Sequence, residues 1–492
     1  SQSYTQLNLA FAAINAGTHQ GVITIGISGN TTESASAVLN SGAVAPAAWT
    51  SMSITPTGAP NIIEGTIAGA VIKLNGADNV TIDGRIAGTG RNLTIRNNST
   101  AATTAAVWLA SVAVGNGCSG NTIRNCEIAC NAPQNTGTLQ TYGILMCGTT
   151  ISLTSNGVEN DNNTFQENRI IKCRHGIATR GTAASDRNLN IQVLDNIVGP
   201  TAFGADQIGK VGIYMQADEN STVRGNTVQF VGGDFANTTG GADRYGIAIG
   251  VESWSMTPGT ITSLNYTVSR NLVHDIIDER TFSAVGIGLQ TTNGGSPTNN
   301  VVCSNIIYNV KSNGTAGDQA VGLAIAGGHS DQVVYNSIRM SGDVDPNAGA
   351  TATSNFGSGI RIGLDNGTTH ANLNLKNNVV YMDLFSSSTA AARYYAISGR
   401  TAAYTFGTGG QDHNDYYINP LNTACVTGGL GTASGAVLTN QFPTLANWQT
   451  AYTAPQDANS IQADPGFISD TDLHISAGAT AVNNVGTVAG VT

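Results

Sequence analysis

Short runs of alternating apolar and polar residues recur along this 492-residue chain, such as Asn121-Thr122-Ile123 and Asn300-Val301-Val302, bounded by Gly and Asn. Alternation of period two predicts half-buried strands, and the bounding residues predict turns. Two ladders run through them. In the first, an apolar residue is followed three positions later by Asn: Phe165 with Asn168, Val193 with Asn196, Val223 with Asn226, Val268 with Asn271, Val302 with Asn305, Val333 with Asn336 and Leu375 with Asn378. Ile95 with Asn98 starts the series, and Ile123 puts Cys126 in the Asn place. In the second, Gly precedes an apolar residue: Gly143-Ile144, Gly176-Ile177, Gly212-Ile213, Gly246-Ile247, Gly286-Ile287, Gly322-Leu323 and Gly359-Ile360, closed by Ala396-Ile397. The ladders advance one for one, by 28 to 45 residues per step in the first and 33 to 40 in the second.

No helical pattern lies between these strands, so each must stack on its own kind in the neighbouring coil. The expected fold is all-β: a right-handed parallel β-helix, a solenoid with an N-terminal amphipathic cap helix and a short C-terminal cap. Within the stack, Asn amides bond along the axis as in amide ladders, and Asn supplies the left-handed backbone of a sharp corner. At the front, Ser3 and Gln6 have capping-box spacing, while Leu7, Ala10, Phe11 and Ile14 share one helical face before Gly17. Val22, Ile23, Ile25 and Ile27 then enter the sheet. At the back, Pro443 opens a short helix carrying Leu445, Trp448 and Tyr452, and Asp464-Pro465 leads into a last strand pair ending near Ile475. With no linker or compositional break, the expectation is a single domain over 1–492: an N-terminal cap at 1–30, repeated coils at 70–420, and C-terminal coils and cap at 421–492.

Having these motifs, the chain resembles the pectate-lyase-like right-handed β-helix superfamily and, more narrowly, large secreted β-helix proteins of the Bacteroidetes. The resemblance rests on the ladders, on the opening from Tyr4 into VITIGISGNTTE, on LNGADNVTIDG at Leu74 to Gly84, and on ADPGFISDTDLHISAGATAVNNVG at Ala463 to Gly486. It implies export by the type nine secretion system and a C-terminal sorting domain. The sequence stops at Thr492 without one, so a processed or truncated passenger is expected.

Composition narrows the partners. Hydrophobic residues make up 40% of the chain and charged residues only 11%, so Asn, Thr, Ser and Gly must cover the surface. The formal net charge of -10 argues against nucleic acid, which needs a concentrated positive footprint, and against an anionic membrane surface. No apolar run approaches the roughly 20 residues that span a bilayer, and Ser1 begins without a leader, so the expected location is secreted or cell-surface with any signal peptide removed. Seven cysteines read as small buried hydrophobes, with one disulfide within Cys118 to Cys147 as the alternative; zinc is not expected.

Candidate chemistry is sparse. If each ladder Ile points inward, its successor points out, giving Ala178, Tyr214, Ala248, Gly288, Ala324 and Arg361, and two further on Arg180 and Ala326. The strip of Ala178, Ala248, Gly288, Ala324 and Ala326 suits close packing against the chain's own loops, another copy or a planar ligand. The densest basic group is Lys172, Arg174 and His175 with Arg180. Lyases of the resembled superfamily use a Lys or Arg base beside a uronate, and hydrolases use paired acids; Lys172, His175 and Arg180 are the catalytic candidates of that reading. Tyr214, Asp218, Glu219, Asp243, Arg244, Glu252 and Arg361 are the binding candidates, with acids one or two coils from the bases. The oxygens of Asp275, Asp278 and Glu279, next to Arg280, are able to take calcium but match no EF-hand spacing; no other cofactor is expected. Asp412, His413, Asn414 and Asp415 read as a turn. The preferred function is a non-catalytic extracellular β-helix for adhesion, glycan contact or self-assembly with other copies. The alternative is a polysaccharide lyase or related enzyme on acidic glycans.

Overall fold

The structure, a computed structural model, describes residues 2–131, 140–182, 186–233, 242–252, 254, 259–279, 281–293, 295–314, 317–346, 356–363, 370–400, 406–452, 456–479, 481–482, 486–487 and 489. The chain divides into two compact units, Ser1–Gln229 and Phe230–Thr492. Each is a parallel β-helix.

In the first unit the α-helix α1 (Leu7–Asn15) precedes strands β1 (Gly21–Ile27), β2 (Thr31–Glu33), β3 (Ala37–Asn40) and β4 (Trp49–Pro56). Strand β4 pairs in parallel with β1, and Val80–Asp83, Thr122–Arg124, Thr164–Gln166, Gln192–Leu194 and Thr222–Arg224 continue that ladder. A ladder from β3 runs through Ala70–Asn75, Thr103–Ala110, Gln140–Cys147, Cys173–Arg180 and Ile208–Gln216. A third runs from β2 through Asn61–Gly65, Leu93–Asn97, Cys126–Ala129, Arg169–Ile171 and Ile197–Val198. The second unit repeats the plan, with Thr267–Ser269 opening one ladder, Arg244–Ile249 the next and Leu272–Asp278 the third. All these pairings are parallel; the pairing of Cys425–Ser434 with Val437–Phe442 is antiparallel. The result is the right-handed parallel β-helix that the two sequence ladders predict.

The asparagines form the expected internal ladders. Asn168 donates its backbone N–H to Asn196 Oδ1 at 3.0 Å and its side-chain amide to the same oxygen at 3.1 Å and to Ile123 O at 2.9 Å. Asn196 repeats this on Asn226, and in the second unit Asn271, Asn305, Asn336 and Asn378 follow suit, the last of them on Asn414. Each amide therefore ties three coils together. Cys126 does occupy the Asn place, its N–H reaching Asn168 Oδ1 at 3.0 Å.

Two expectations about this ladder are corrected. Ile95 pairs with Ile128, whereas the partner of Ile123 is Ile82, so Ile95 and Asn98 belong to the third ladder. The left-handed corner residue is not the ladder Asn but its predecessor: Glu167, Asp195, Arg270, Ser304, Tyr335, Asn377 and His413 all have φ between 53° and 60°. The amide can bond along the axis because its own backbone stays extended for strand pairing.

The glycines of the second ladder are there for space. A Cβ on Gly286 would lie 2.6 Å from Ile307 Cγ2 and 2.5 Å from Gly322 O, and one on Gly176 would lie 2.4 Å from both Val198 Cγ1 and Gly212 O. Two strands of the next coil both press on that point.

The caps form with changes. Leu7, Ala10, Phe11 and Ile14 are buried as expected, and the Gly17 N–H closes α1 on Ile14 O at 2.9 Å. Ser3 and Gln6 do not form a capping box; the Glu33 carboxylate accepts the N–H groups of Leu7 and Asn8 at 2.9 and 2.8 Å, placing an anion at the helix start. Val22 does not enter the core: it is 78% exposed. At the back, helix α2 (Leu445–Trp448) is capped by Thr444 and buries Trp448, while the expected last strand pair is a single bridge between Phe467 and Ile475. All seven cysteines are buried thiols, so the disulfide within Cys118 to Cys147 does not form. Cys118 Sγ instead points at Leu74 O and Ala110 O, 3.1 and 3.3 Å away. Among the described residues no helix is long and apolar enough to cross a membrane.

Candidate functional site

Strand Cys173–Arg180 carries the basic candidates, and it spreads them out. Lys172 sits half-buried in the left-handed turn before the strand, its N–H bonded to Asp206 O at 2.8 Å. The His175 ring is buried and stacks on Tyr142, with centroids 4.8 Å apart. Neither of its nitrogens has a hydrogen-bond partner among the described residues. Burial first, then the charges of Arg174 and Lys210, hold its pKa well below the ordinary imidazole range, so the ring is neutral. Arg180 donates from Nε to Asn156 Oδ1 at 2.8 Å and bonds Gln216 Oε1, which also accepts from buried Tyr214. At about 3.3 Å per residue, His175 and Arg180 lie roughly 16 Å apart along the strand. Lys172, His175 and Arg180 therefore do not converge on one reacting atom.

The acidic candidates have structural partners. Asp218 is buried and accepts from Asn188 Nδ2 at 2.7 Å and from the Thr179 hydroxyl, which ends an amide ladder. Glu219 is half-buried, 3.7 Å from Arg187. In the second unit, Asp243 accepts the Ser283 N–H at 2.9 Å. Arg244 and Asp278 form an ion pair at 3.2 Å with both side chains 0% exposed. Glu252 closes its own loop by accepting from Ile261 N–H at 2.5 Å and Thr260 Oγ1 at 2.8 Å. Arg361 is buried with its guanidinium 5.7 Å from the Phe356 ring centre.

That pairing also separates the calcium candidates. Asp278 is engaged with Arg244, Asp275 Oδ2 lies 2.5 Å from His274 Nδ1, and Arg280 lies outside the described residues. Among the described residues no three His, Cys, Asp or Glu side chains gather as a metal-binding set.

The small-residue strip is not an open face. Ala178, Ala248, Ala324 and Ala326 are each 0% exposed, and Gly288 is buried. Other parts of the chain reach these strands: Trp254 lies 5.3 Å from Tyr245 at a tilt of 53°, Glu252 N–H bonds Gln290, and Leu438 of strand Val437–Phe442 donates its N–H to the Tyr395 hydroxyl at 2.8 Å.

A different feature was missed in the sequence. On the third ladder of the second unit, His274, Tyr308, Arg339, Tyr381 and Tyr417 are paired in successive coils. Buried Val273, Ile307, Ile338, Val380 and Tyr416 precede them, so alternation turns the five outward. His274 stacks on Tyr308 at 4.7 Å and 9°, the Arg339 guanidinium lies 4.1 Å over Tyr381, and Tyr381 meets Tyr417 at 5.1 Å. His274 and Tyr308 are nevertheless buried, at 8% exposure each, while Arg339, Tyr381 and Tyr417 are half-buried. The signal was present: each of the five stands three residues after a ladder Asn. Carboxylates surround this column. Asp470 pairs with Arg339 at 2.8 Å, Asp383 accepts from Asn422 at 2.9 Å, and Asp415 accepts the Ala463 N–H at 3.0 Å. Burial, opposed by that bond and reinforced by the Asp464 charge, pushes Asp415 up to about 7.

No protein-family model matches the chain, and no curated protein matches it. Solved structures similar to it include the Dettilon tailspike protein gp208, at a TM-score of 0.46 and 14% identity over 88% of this chain and 66% of that one. The GH136 lacto-N-biosidase from Eubacterium ramulus follows at 0.43 and 10%, over 86% and 64%. The mannuronan C-5 epimerase AlgE4 A-module from Azotobacter vinelandii stands at 0.35 and 8%, over 89% and 94%. The chain thus spans just under two thirds of the length of the first two. Likenesses of this degree say nothing of what it binds or does, and the narrower resemblance to Bacteroidetes proteins gains no support from them. By its own strand pairing, the chain is a right-handed parallel β-helix.

Proposed function

We propose that this chain is a non-catalytic extracellular β-helix that contacts neutral glycans through the column of planar side chains in its second unit. The observation that carries the reading is the register of Arg339, Tyr381 and Tyr417, half-buried planar groups in three successive coils, which the buried His274 and Tyr308 continue. Aromatic rings offer apolar surface to the C–H faces of sugars while their polar edges bond hydroxyls. The carboxylates alongside, Asp383 and Asp470, accept hydrogen bonds from hydroxyls but repel uronates, so a neutral glycan fits better than an acidic one. The scattered positions of Lys172, His175 and Arg180 support the non-catalytic reading.

The test is binding of the purified chain to a panel of neutral and acidic oligosaccharides, followed by Tyr381→Ala and Tyr417→Ala. Each substitution is expected to weaken neutral-glycan binding roughly tenfold, the equivalent of about 1.4 kcal/mol. Unchanged affinity in both variants would sink the proposal. So would unsaturated products from acidic polysaccharides that disappear on changing Lys172 and Arg180.

A further inference from the structure

The loop between Phe467 and Ile475 stands beside the planar column. A bridge between those two residues forms its base, and its arms are tied by Ile468 N–H on His474 O at 3.0 Å and Ser469 N–H on Asp472 O at 3.1 Å. Buried Leu473 anchors it, and the Phe467 ring lies 6.5 Å from that of Tyr381. The tip, Ile468 to Thr471, is exposed. One side chain of the tip turns back onto the column: Asp470 Oδ1 accepts from Arg339 Nη2 at 2.8 Å, one coil before Tyr381.

The two partners of this ion pair are held differently. The Arg339 side chain is 13% exposed and packed over Tyr381, whereas that of Asp470 is 82% exposed on a loop tip. The guanidinium is therefore a fixed group and the carboxylate a tethered ion in solvent. Exposed ion pairs contribute little to stability, so Asp470 is held weakly against a competing anion. Two other carboxylates act on the column: burial raises the Tyr381 hydroxyl's pKa, Arg339 opposes the rise, and Asp383 and Asp464 add to it. These two are engaged by neutral donors, Asn422 Nδ2 and Gly466 N–H, each at 2.9 Å. Of the three, Asp470 is the one that touches the guanidinium.

We propose that Asp470 sets the selectivity of the column by occupying, from within the chain, the seat on Arg339 that the carboxylate of an acidic sugar would take. The inference rests on the glycan-binding reading above and sharpens it. A guanidinium stacked on a ring is a carboxylate receptor through its edge. With Asp470 on that edge, the column offers sugars its ring faces and its hydroxyl-bonding edges. A uronate would have to displace Asp470, and the displaced carboxylate, still tethered by its loop, would stay close enough to repel it. A neutral sugar displaces nothing. Discrimination therefore lies in one residue of an aperiodic loop, outside the column itself.

The test is binding of the full chain to a panel of neutral oligosaccharides and to the same panel with its primary hydroxyls oxidised to carboxylates. Asp470→Asn keeps the shape and loses the charge, and should raise affinity for the oxidised sugars roughly fivefold, the upper end of what an exposed ion pair contributes. Asp472→Asn makes the same change in net charge on the same loop but faces His474, and should bring no such gain. Adding Arg339→Gln to Asp470→Asn should remove it. No gain in Asp470→Asn, an equal gain in Asp472→Asn, or a gain that survives Arg339→Gln would each overturn the proposal. A native chain that binds no neutral sugar, with the gain in Asp470→Asn still present, would refute the neutral-glycan reading and leave the carboxylate seat standing.

Discussion

At Gly286 the space for a side chain is already taken by Ile307 Cγ2 and by the carbonyl of Gly322, both within 2.6 Å of where a Cβ would stand. Both contacts come from the next coil, one from a side chain of its third-ladder strand and the other from the backbone stacked on Gly286 itself, so relief in one direction worsens the other. Gly286→Ala should therefore destabilise by about 1–3 kcal/mol or more, the range of overpacked cores. Gly29, whose Cβ would meet nothing within 4 Å, is the control, and Gly29→Ala should change stability by less than about 0.5 kcal/mol. Chemical denaturation of the two variants checks the pair. The Gly-Ile repeat was readable in the sequence as a period, but its cause was not, because the crowding comes from a residue on another strand and a carbonyl one coil away.

Among elements, the amide ladders share a direction. Each Asn donates toward the following coil, so every ladder ends on an acceptor, and three of these ends are buried carboxylates: Asp218 receives Asn188, Asp331 receives Asn300 at 2.8 and 3.1 Å, and Asp457 receives Asn414 at 3.3 Å. Asp457 also accepts from Trp448 Nε1 at 2.8 Å and Ser460 Oγ at 2.6 Å, which joins the ladder to helix α2. Asp218, a binding candidate by sequence, is better understood as one of these terminators. Within the ladder, Asn305 accepts the backbone and side-chain N–H groups of Asn271 and donates to Val268 O and Asn336 Oδ1. Asn305→Ala leaves at least two buried groups unpaired at about 1–3 kcal/mol each, so a loss of roughly 3 kcal/mol or more is expected in equilibrium unfolding. An effect below about 1 kcal/mol would show that the ladder contributes little.

For the molecule as a whole, the raised acids near the C-terminal end set a pH response. Burial lifts Asp415 to about 7 and Asp457 to about 6, against 3.8 for an ordinary aspartate. The folded chain then holds protons that the unfolded chain has lost, so stability falls as pH rises through this window. The contribution is complete below about pH 4 and is lost by about pH 7. Lowered acids such as Glu64, held down mainly by its bonds to Arg96 and Asn98, work in the opposite sense at lower pH. Buried His175 works the other way in the same window, because only the unfolded imidazole takes up a proton there, so the check is a comparison: as pH rises from 4 to 7, Asp415→Asn should gain melting temperature relative to the native chain. An identical slope in the two would contradict this account.

From the sequence alone came the coil repeat, its strand register, the Asn ladder and the apolar face of the cap helix. These depend on periodic local pattern, and a period written into residues survives without knowledge of the rest. Tertiary structure decided what the period does not encode. It put a carboxylate of β2 at the start of α1, brought Trp254 against Tyr245, and set Asp457 where Asn414 and Trp448 both reach it. Each of these outcomes depends on which non-repeating segment lies over which coil, and so on contacts between residues far apart in the chain.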